Sequence, residues 1–212
     1  MVFWDLETKR QSLHLMFGVF FATIVYFLNP ENGFLFLLGG AALTLLISLE
    51  ISDGKKVPLI NWIVRQTERE ENAPGEGVTW YFFGVILTFI IFYYGLHVQK
   101  ELIVASMVIL AVGDSVCTGI GRKLGRKLLP KTETKSWAGS GLGFILSALG
   151  APLALLSLLT PENAFIIGGI GAAVGMLTEA YLRKFNDNLT IPIAACAAMV
   201  IASHVLQLNV FY

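Results

Sequence analysis

Residues 102–127 read LIVASMVILAVGDSVCTGIGRKLGRK, an apolar stretch that becomes cationic near its end. The part from Leu102 to Ile120 is long enough to cross a hydrocarbon core, which needs roughly 17–25 apolar residues per helix. Asp114 lies inside this stretch, about two helical turns before Arg122. Because an ionised carboxylate is costly to remove from water, an acid within a spanning segment generally has a functional role.

The composition of the whole chain indicates a polytopic membrane protein. Of its 212 residues, 55% are hydrophobic and only 14% are charged, whereas a soluble domain has about 25% charged residues. We therefore predict an all-α membrane helix bundle of about seven transmembrane helices, forming a single transmembrane catalytic domain over residues 1–212. The predicted spans are 12–28, 33–51, 78–96, 101–120, 139–159, 164–182 and 189–208. Residues 57–71 predict a short interfacial helix between the second and third spans.

The basic residues predict the orientation of this bundle. Of the 15 Lys and Arg residues, only Lys100 falls on one side of the predicted membrane, which leaves 14 on the other. Because basic residues in short loops remain in the cytoplasm, we predict a cytoplasmic N-terminus. The longer polar loops lie on the same side, so we expect the active site to face the cytoplasm of a prokaryotic cytoplasmic membrane or of an endomembrane.

Polar residues with catalytic potential collect at the predicted cytoplasmic ends of the helices. A carboxylate that can hold a divalent cation, close to clustered Arg and Lys, predicts phosphoryl or nucleotidyl chemistry on a lipid. The alternative for each acid is a solvated helix-end carboxylate paired with a neighbouring cation. The candidates are Arg10, His14, Glu50, Asp114, Glu179, Asp187 and Asn188.

The loop after Asp114 is the predicted phosphate-binding element. A helix N-terminus with free N–H groups beside Lys and Ser favours phosphate. The glycine spacing matches neither a Walker P-loop nor a dinucleotide-binding fingerprint. The alternative is that the cations only orient the protein and attract anionic lipid. The candidate nucleotide-binding residues are Arg122, Lys123, Arg126, Lys135, Ser136 and Gly139.

These motifs resemble those of a known family. Gly113-Asp114, Gly121-Arg122, Gly125, Pro130, Lys135-Ser136 and Gly139 are similar to the G-D-x-x-A-x-x-x-G-R-x-x-G…P…K-S-x-x-G block of the CTP-dependent lipid-alcohol kinases. This family comprises dolichol or polyprenol kinase, phytol kinase and the CTP-dependent diacylglycerol kinase. Arg10, His14 and Gly18 resemble its N-terminal motif, Glu50 its acid after the second helix, and Glu179 with residues 187–192 its E…D-N-x-T-x-P element. Cys117, Gln11 and Ala138 depart from the family pattern, where alanine, lysine and often glutamate occur.

The resemblance implies a lipid kinase that transfers the γ-phosphoryl group of CTP to the hydroxyl of a membrane alcohol. We expect this alcohol to be an isoprenoid of the polyprenol/dolichol or phytol/geranylgeraniol type. Asp114 would bind Mg²⁺ with Asp187 or Glu179 as its partner, and the basic loop would hold the triphosphate, assisted by Ser136 and Gly139. Glu179 or His14 would accept the proton of the alcohol, with Arg10, Glu50 and Asn188 in substrate-binding or supporting roles. The expected partners are CTP, the lipid alcohol and the bilayer, without nucleic acid.

Two other functions remain open at this stage. A CTP:phosphatidate-type cytidylyltransferase shares the aspartate, the glycines and the Lys-[ST]-x-x-G step, but its H-G-G…D-R-x-D element is absent here and Asp187-Asn188 occurs in its place. A non-enzymatic lipid transporter or scaffold would need no convergent Mg²⁺ site. The sequence leaves open which alcohol is used, whether polyprenol or dolichol, phytol or geranylgeraniol, or diacylglycerol, and whether the chain forms a homodimer.

Overall fold

The computed structural model describes residues 6–53, 75–132, 134–182 and 185–212. The predicted interfacial helix at 57–71 lies outside these ranges. Within them the regular secondary structure is helical, and the only β-type pairings are the isolated bridges Val98–Phe211 and Leu128–Ser136. The prediction of an all-α fold is confirmed.

Seven long helices account for most of the described residues, and six of them are long and apolar enough to cross a membrane. The exception is α1, which covers the predicted span 12–28 except for its last residue. Its first turns carry Glu7, Lys9 and Arg10, which leave it a shorter apolar stretch. The helices are α1 (Leu6–Phe27), α2 (Pro30–Ser52), α3 (Glu76–Gly95), α4 (Lys100–Leu124), α5 (Trp137–Leu155), α6 (Pro161–Tyr181) and α7 (Asp187–Val205).

Capping residues explain where two of the spans begin. In α2 the Asn29 side chain accepts a hydrogen bond from the Asn32 N–H, and in α6 the Thr160 hydroxyl accepts one from the Asn163 N–H. Each cap is followed by proline, whose fixed φ and missing N–H suit the first position of a helix. These helices therefore start at Pro30 and Pro161. The predicted starts at 33 and 164 are each three residues later, because the polar residues that follow each proline belong to the first helical turn.

Helix α4 forms the centre of the bundle. It packs against α1, α3, α5, α6 and α7, and every residue from Leu102 to Met107 is buried. Residues Ile109–Asp114 form a π-helical segment within α4. Such wide turns inside α-helices are frequent at functional sites, and here the segment ends at Asp114.

Glycines allow α5 to approach α4 closely. A Cβ atom added at Gly139 would lie 2.5 Å from the carbonyl oxygen of Cys117, and one at Gly143 would lie 2.9 Å from that of Gly113. Small residues at such positions let membrane helices make backbone contact. This packing brings the start of α5, with Lys135 just before it, next to the last turns of α4.

Candidate active site

A polar cleft opens at the end of the bundle where α1, α3 and α7 begin and where α4 and α6 end. Its volume is about 900 Å³, which is large enough for a nucleotide because small-molecule sites usually occupy about 300–1,000 Å³. The residues that line it are Glu7, Arg10, Glu76, Gly77, Asp114, Cys117, Thr118, Gly121, Arg122, Thr134, Lys135, Glu179, Phe185, Asn186, Asp187 and Asn188.

Three acidic residues from three different helices converge in this cleft. Asp114 of α4, Glu179 of α6 and Asp187 of α7 each offer one carboxylate oxygen, and these oxygens lie within 4.8 Å of one another. Glu179 is fully buried, whereas the other two are partly exposed. Carboxylates this close repel each other unless a cation compensates them. Because hard divalent cations such as Mg²⁺ prefer oxygen ligands, the residues present fit such a cation.

Lys135 supplies one compensating charge. Its Nζ donates a hydrogen bond to Oε1 of Glu179 and forms an ion pair with it. Burial by itself lowers the pKa of Lys135, but the negative charges of Glu179 and Asp114 outweigh this effect and hold the pKa above its ordinary value. Lys135 is therefore an ammonium group at neutral pH. It belongs to the segment just before α5, and its Nζ contacts the acidic residues through Glu179.

Two further side chains surround these acids. The Cys117 thiol donates to Oε2 of Glu179 across 3.2 Å and lies 3.4 Å from the Ser140 hydroxyl. The Thr118 hydroxyl donates to Oδ1 of Asp114 across 3.4 Å. Both residues follow Asp114 on α4, so the last turns of this helix provide an acid and two weak donors to the same cleft.

A cationic pair occupies the part of the cleft formed by α1 and α4. Arg10 donates to Oε1 of Glu7, with its Nη2 at 2.5 Å and its Nε at 3.1 Å. Arg122 places its Nη1 3.4 Å from Oε2 of the same carboxylate. A buried glutamate thus joins two arginines from separate helices.

His14 lies beside Asp114 but does not line the cleft. Its Nε2 is 3.7 Å from Oδ2 of Asp114, which is beyond hydrogen-bond distance. Its ring meets the Tyr81 ring edge-on, with 5.9 Å between the centroids. His14 therefore lies next to Asp114 without a hydrogen bond to it.

Asn188 is fixed at the start of α7. Its backbone N–H donates to the Asn186 side chain, and its Nδ2 donates to the Gly77 carbonyl oxygen across 3.1 Å. These bonds connect the beginnings of α3 and α7 and hold the neighbouring Asp187 at the cleft.

Besides His14, five predicted residues lie outside the cleft lining. The Ser136 side chain is the N-cap of α5 and accepts a hydrogen bond from the Gly139 N–H across 3.1 Å, so these two groups satisfy each other rather than facing the cleft. Lys123, Arg126 and Glu50 are exposed, the last near the end of α2. Roles for these five residues in nucleotide or substrate binding stay predictions.

Glu7, Cys117 and Thr118 line the cleft but were not among the residues predicted from the sequence. A signal for Glu7 was present, because Arg10 and Gln11 follow it at three and four residues and therefore lie on its face of the helix. Nothing in the sequence relates Glu7 to Arg122, since that contact depends on how α1 packs against α4.

Comparisons with known proteins give one relative and no assigned activity. The chain is 29% identical over 212 residues to "Uncharacterized protein RP860" of Rickettsia prowazekii (strain Madrid E), an alignment that covers 96% of this chain and 98% of that protein. No family model matches the chain, and no solved structure shows a significant match.

Proposed function

We propose that this protein is a membrane lipid kinase that transfers the γ-phosphoryl group of CTP to the hydroxyl of a lipid alcohol. The observation that carries the proposal is the convergence of Asp114, Glu179 and Asp187 with Lys135 in one cleft at the ends of membrane-length helices. Phosphoryl transfer depends mainly on positioning and charge neutralisation, and this cleft offers cation-binding oxygens next to phosphate-binding cations.

The proposal includes a topology. We place seven helices across the bilayer, with α1 as the first span and the N-terminus in the cytoplasm of a prokaryotic cell membrane or an endomembrane. The distribution of the basic residues supports this orientation. The cleft then faces the cytoplasm, where CTP is available, at the depth where the hydroxyl of a bilayer alcohol can reach it.

The acidic residues would hold the divalent cation. When bound, Mg²⁺ would neutralise phosphate charge and orient the triphosphate for attack. Asp114 and Asp187 are the proposed ligands, since both are partly exposed in the cleft. Glu179 is buried and already accepts hydrogen bonds from Lys135 and Cys117. Its role would be to hold Lys135 in place and to add negative charge next to the cation.

Lys135 and the two cleft arginines would bind the phosphates of CTP. Charge-assisted hydrogen bonds from ammonium and guanidinium groups to phosphate are about twice as strong as neutral ones. Lys135, Arg10 and Arg122 all line the cleft, which makes them the strongest candidates among the cationic residues.

His14 is the better of the two candidates for accepting the proton of the alcohol. Its Nε2 has no hydrogen-bond partner among the described residues, whereas both oxygens of Glu179 are bonded. It lies one helical turn further along α1 than Arg10 and next to Asp114. An alcohol that enters from the bilayer would bring its hydroxyl to this position.

A substrate panel tests the proposal. The purified protein is incubated with γ-labelled CTP, Mg²⁺ and, separately, polyprenol, dolichol, phytol, geranylgeraniol and diacylglycerol. We expect label in the monophosphate of one isoprenoid alcohol and its loss when Mg²⁺ is chelated. A folded protein that labels none of these alcohols would refute the proposal.

A further inference from the structure

Glu7 occupies an unusual position for an acid in the first turn of a helix. Its residue surface is only 8% exposed, although it lines the cleft. One carboxylate oxygen accepts hydrogen bonds from Arg10 and from Gln11, the latter across 3.0 Å. The other oxygen faces Arg122 of α4 at 3.4 Å.

This arrangement brings two guanidinium groups from different helices to one carboxylate, Arg10 through hydrogen bonds and Arg122 through an ion pair. Two positive charges and one negative charge leave this group with a net positive charge, in contrast to the acidic trio elsewhere in the cleft. Arg122 keeps 56% of its side-chain surface exposed. Each guanidinium has five N–H donors in a rigid fork, so both arginines keep donors for a ligand beyond their contacts with Glu7.

A free arginine side chain loses rotamer entropy when it binds a ligand, whereas an arginine already held by a carboxylate loses less. Glu7 lowers this cost for Arg10 and Arg122 together. It also fixes their separation, because one carboxylate contacts both.

We propose that Glu7 is a positioning residue that holds Arg10 and Arg122 as a clamp for a phosphate group of the nucleotide. This inference rests on the proposed function in that the phosphate is taken to be that of CTP. Glu7 itself does not contact the phosphate. Its carboxylate acts through the two arginines.

Binding of inorganic triphosphate in the presence of Mg²⁺ tests the clamp without any requirement for turnover. Titration calorimetry on the detergent-purified full chain compares Glu7→Gln, which removes the charge, with Glu7→Asp, which keeps it. We expect Glu7→Gln to weaken triphosphate binding by about tenfold, the loss of roughly one charge-assisted contact, and Glu7→Asp to recover part of that loss. Glu162→Gln, an exposed acid in the first turn of α6, is the control and should bind like the unmodified protein.

A second comparison separates positioning from a general structural role. In an Arg10→Ala/Arg122→Ala background, Glu7→Gln should cause no further loss of triphosphate affinity, because the groups that it positions are gone. With CTP as substrate, the loss in Glu7→Gln should appear mainly in KM rather than kcat. A melting temperature measured on each variant shows that the chain remains folded.

Three results would overturn the clamp: unchanged or tighter triphosphate binding in folded Glu7→Gln, the same loss in the double-arginine background, or no binding by the unmodified protein. Tighter binding would mean that Glu7 only reduces the charge of the arginines. If the clamp passes these tests while no lipid alcohol is phosphorylated, the proposed function fails and the phosphate site stands. If alcohols are phosphorylated but Glu7→Gln behaves like Glu162→Gln, the clamp alone fails.

Discussion

Asp114 is the residue on which the proposed chemistry depends most. Asp114→Asn keeps the shape of the side chain but removes the charge that attracts a hard cation. We expect turnover to fall by roughly two orders of magnitude or more, the usual effect of removing one group that stabilises charge in the transition state. Activity across a Mg²⁺ titration, measured together with the melting temperature, provides the test. Near-normal turnover at ordinary Mg²⁺ in a destabilised variant would instead indicate a structural acid.

Lys135 can be separated from the other cations of its loop. Lys135→Ala removes a charge-assisted contact worth roughly 1.5–3 kcal/mol, so activity should fall at least about tenfold. Lys131→Ala is a matched control, because Lys131 is exposed and is absent from the cleft lining. It has a φ of 61°, a conformation that neither lysine nor alanine favours, so the exchange adds little backbone strain of its own. Equal small losses at both positions would mean that the loop acts only through its overall charge.

The sequence allowed part of this site to be predicted. Asp114 and Glu179 were recognisable because a carboxylate within an apolar helix is costly and therefore rarely accidental. Their distance from Asp187 could not be derived, since helical spacing fixes depth in the membrane but not which helices are neighbours. The Ser136 hydroxyl was predicted to assist phosphate binding. In the structure it caps α5 by accepting a hydrogen bond from the Gly139 N–H. The sequence is compatible with both roles, because serine is common at helix N-caps.

At the scale of elements, contact between α3 and α7 positions Asp187 and Asn188. A Cβ atom added at Gly84 would lie 2.0 Å from the carbonyl oxygen of Asn188. Because this oxygen belongs to the backbone, it cannot move away as the end of a flexible side chain can. We expect Gly84→Ala to cost about 1–3 kcal/mol of stability and also to reduce activity, because it displaces the start of α7.

The matched control for this change is Gly39→Ala in α2. Gly39 is exposed, and a Cβ added there meets nothing within 4 Å. Since alanine favours a helix over glycine by up to about 1 kcal/mol, this variant should be neutral or slightly more stable. Thermal unfolding in detergent compares the two, and equal melting temperatures would contradict the close approach of α3 and α7.

Helix boundaries show what a pattern of hydropathy omits. The predicted spans located the helices, because long apolar stretches require backbone hydrogen bonds to be satisfied internally. The π-helical segments Phe89–Gly95 and Ile109–Asp114 were not predicted, since they have the same composition as the α-helical turns around them.

Lys100, the one basic residue predicted on the far side of the membrane, donates hydrogen bonds to the Tyr26 and Leu28 carbonyl oxygens at the end of α1. A cation at a helix C-terminus is stabilising, which gives this exception a physical reason.

The proposed orientation of the bundle predicts from which side of the membrane each loop can be labelled. A cysteine introduced between 127 and 134 should react with a membrane-impermeant reagent only from the cytoplasmic side, and one near Asn163 only from the opposite side. Background labelling should be low because Cys117 and Cys196 are buried. The reverse pattern would place the cleft away from cytoplasmic CTP and would contradict the topology.

The proposed kinase activity is tested most directly by following the α and γ phosphates of CTP in parallel. The purified protein is supplied with Mg²⁺, a panel of lipid alcohols and phosphatidate, and CTP labelled either at the α or at the γ phosphate. We expect γ label alone to enter the lipid, in a monophosphate formed from an alcohol with release of CDP, and Asp114→Asn to give almost none. Entry of α label into a lipid with release of pyrophosphate would identify a cytidylyltransferase instead. Absence of both labels from every lipid would contradict an enzymatic role and favour a transporter or scaffold.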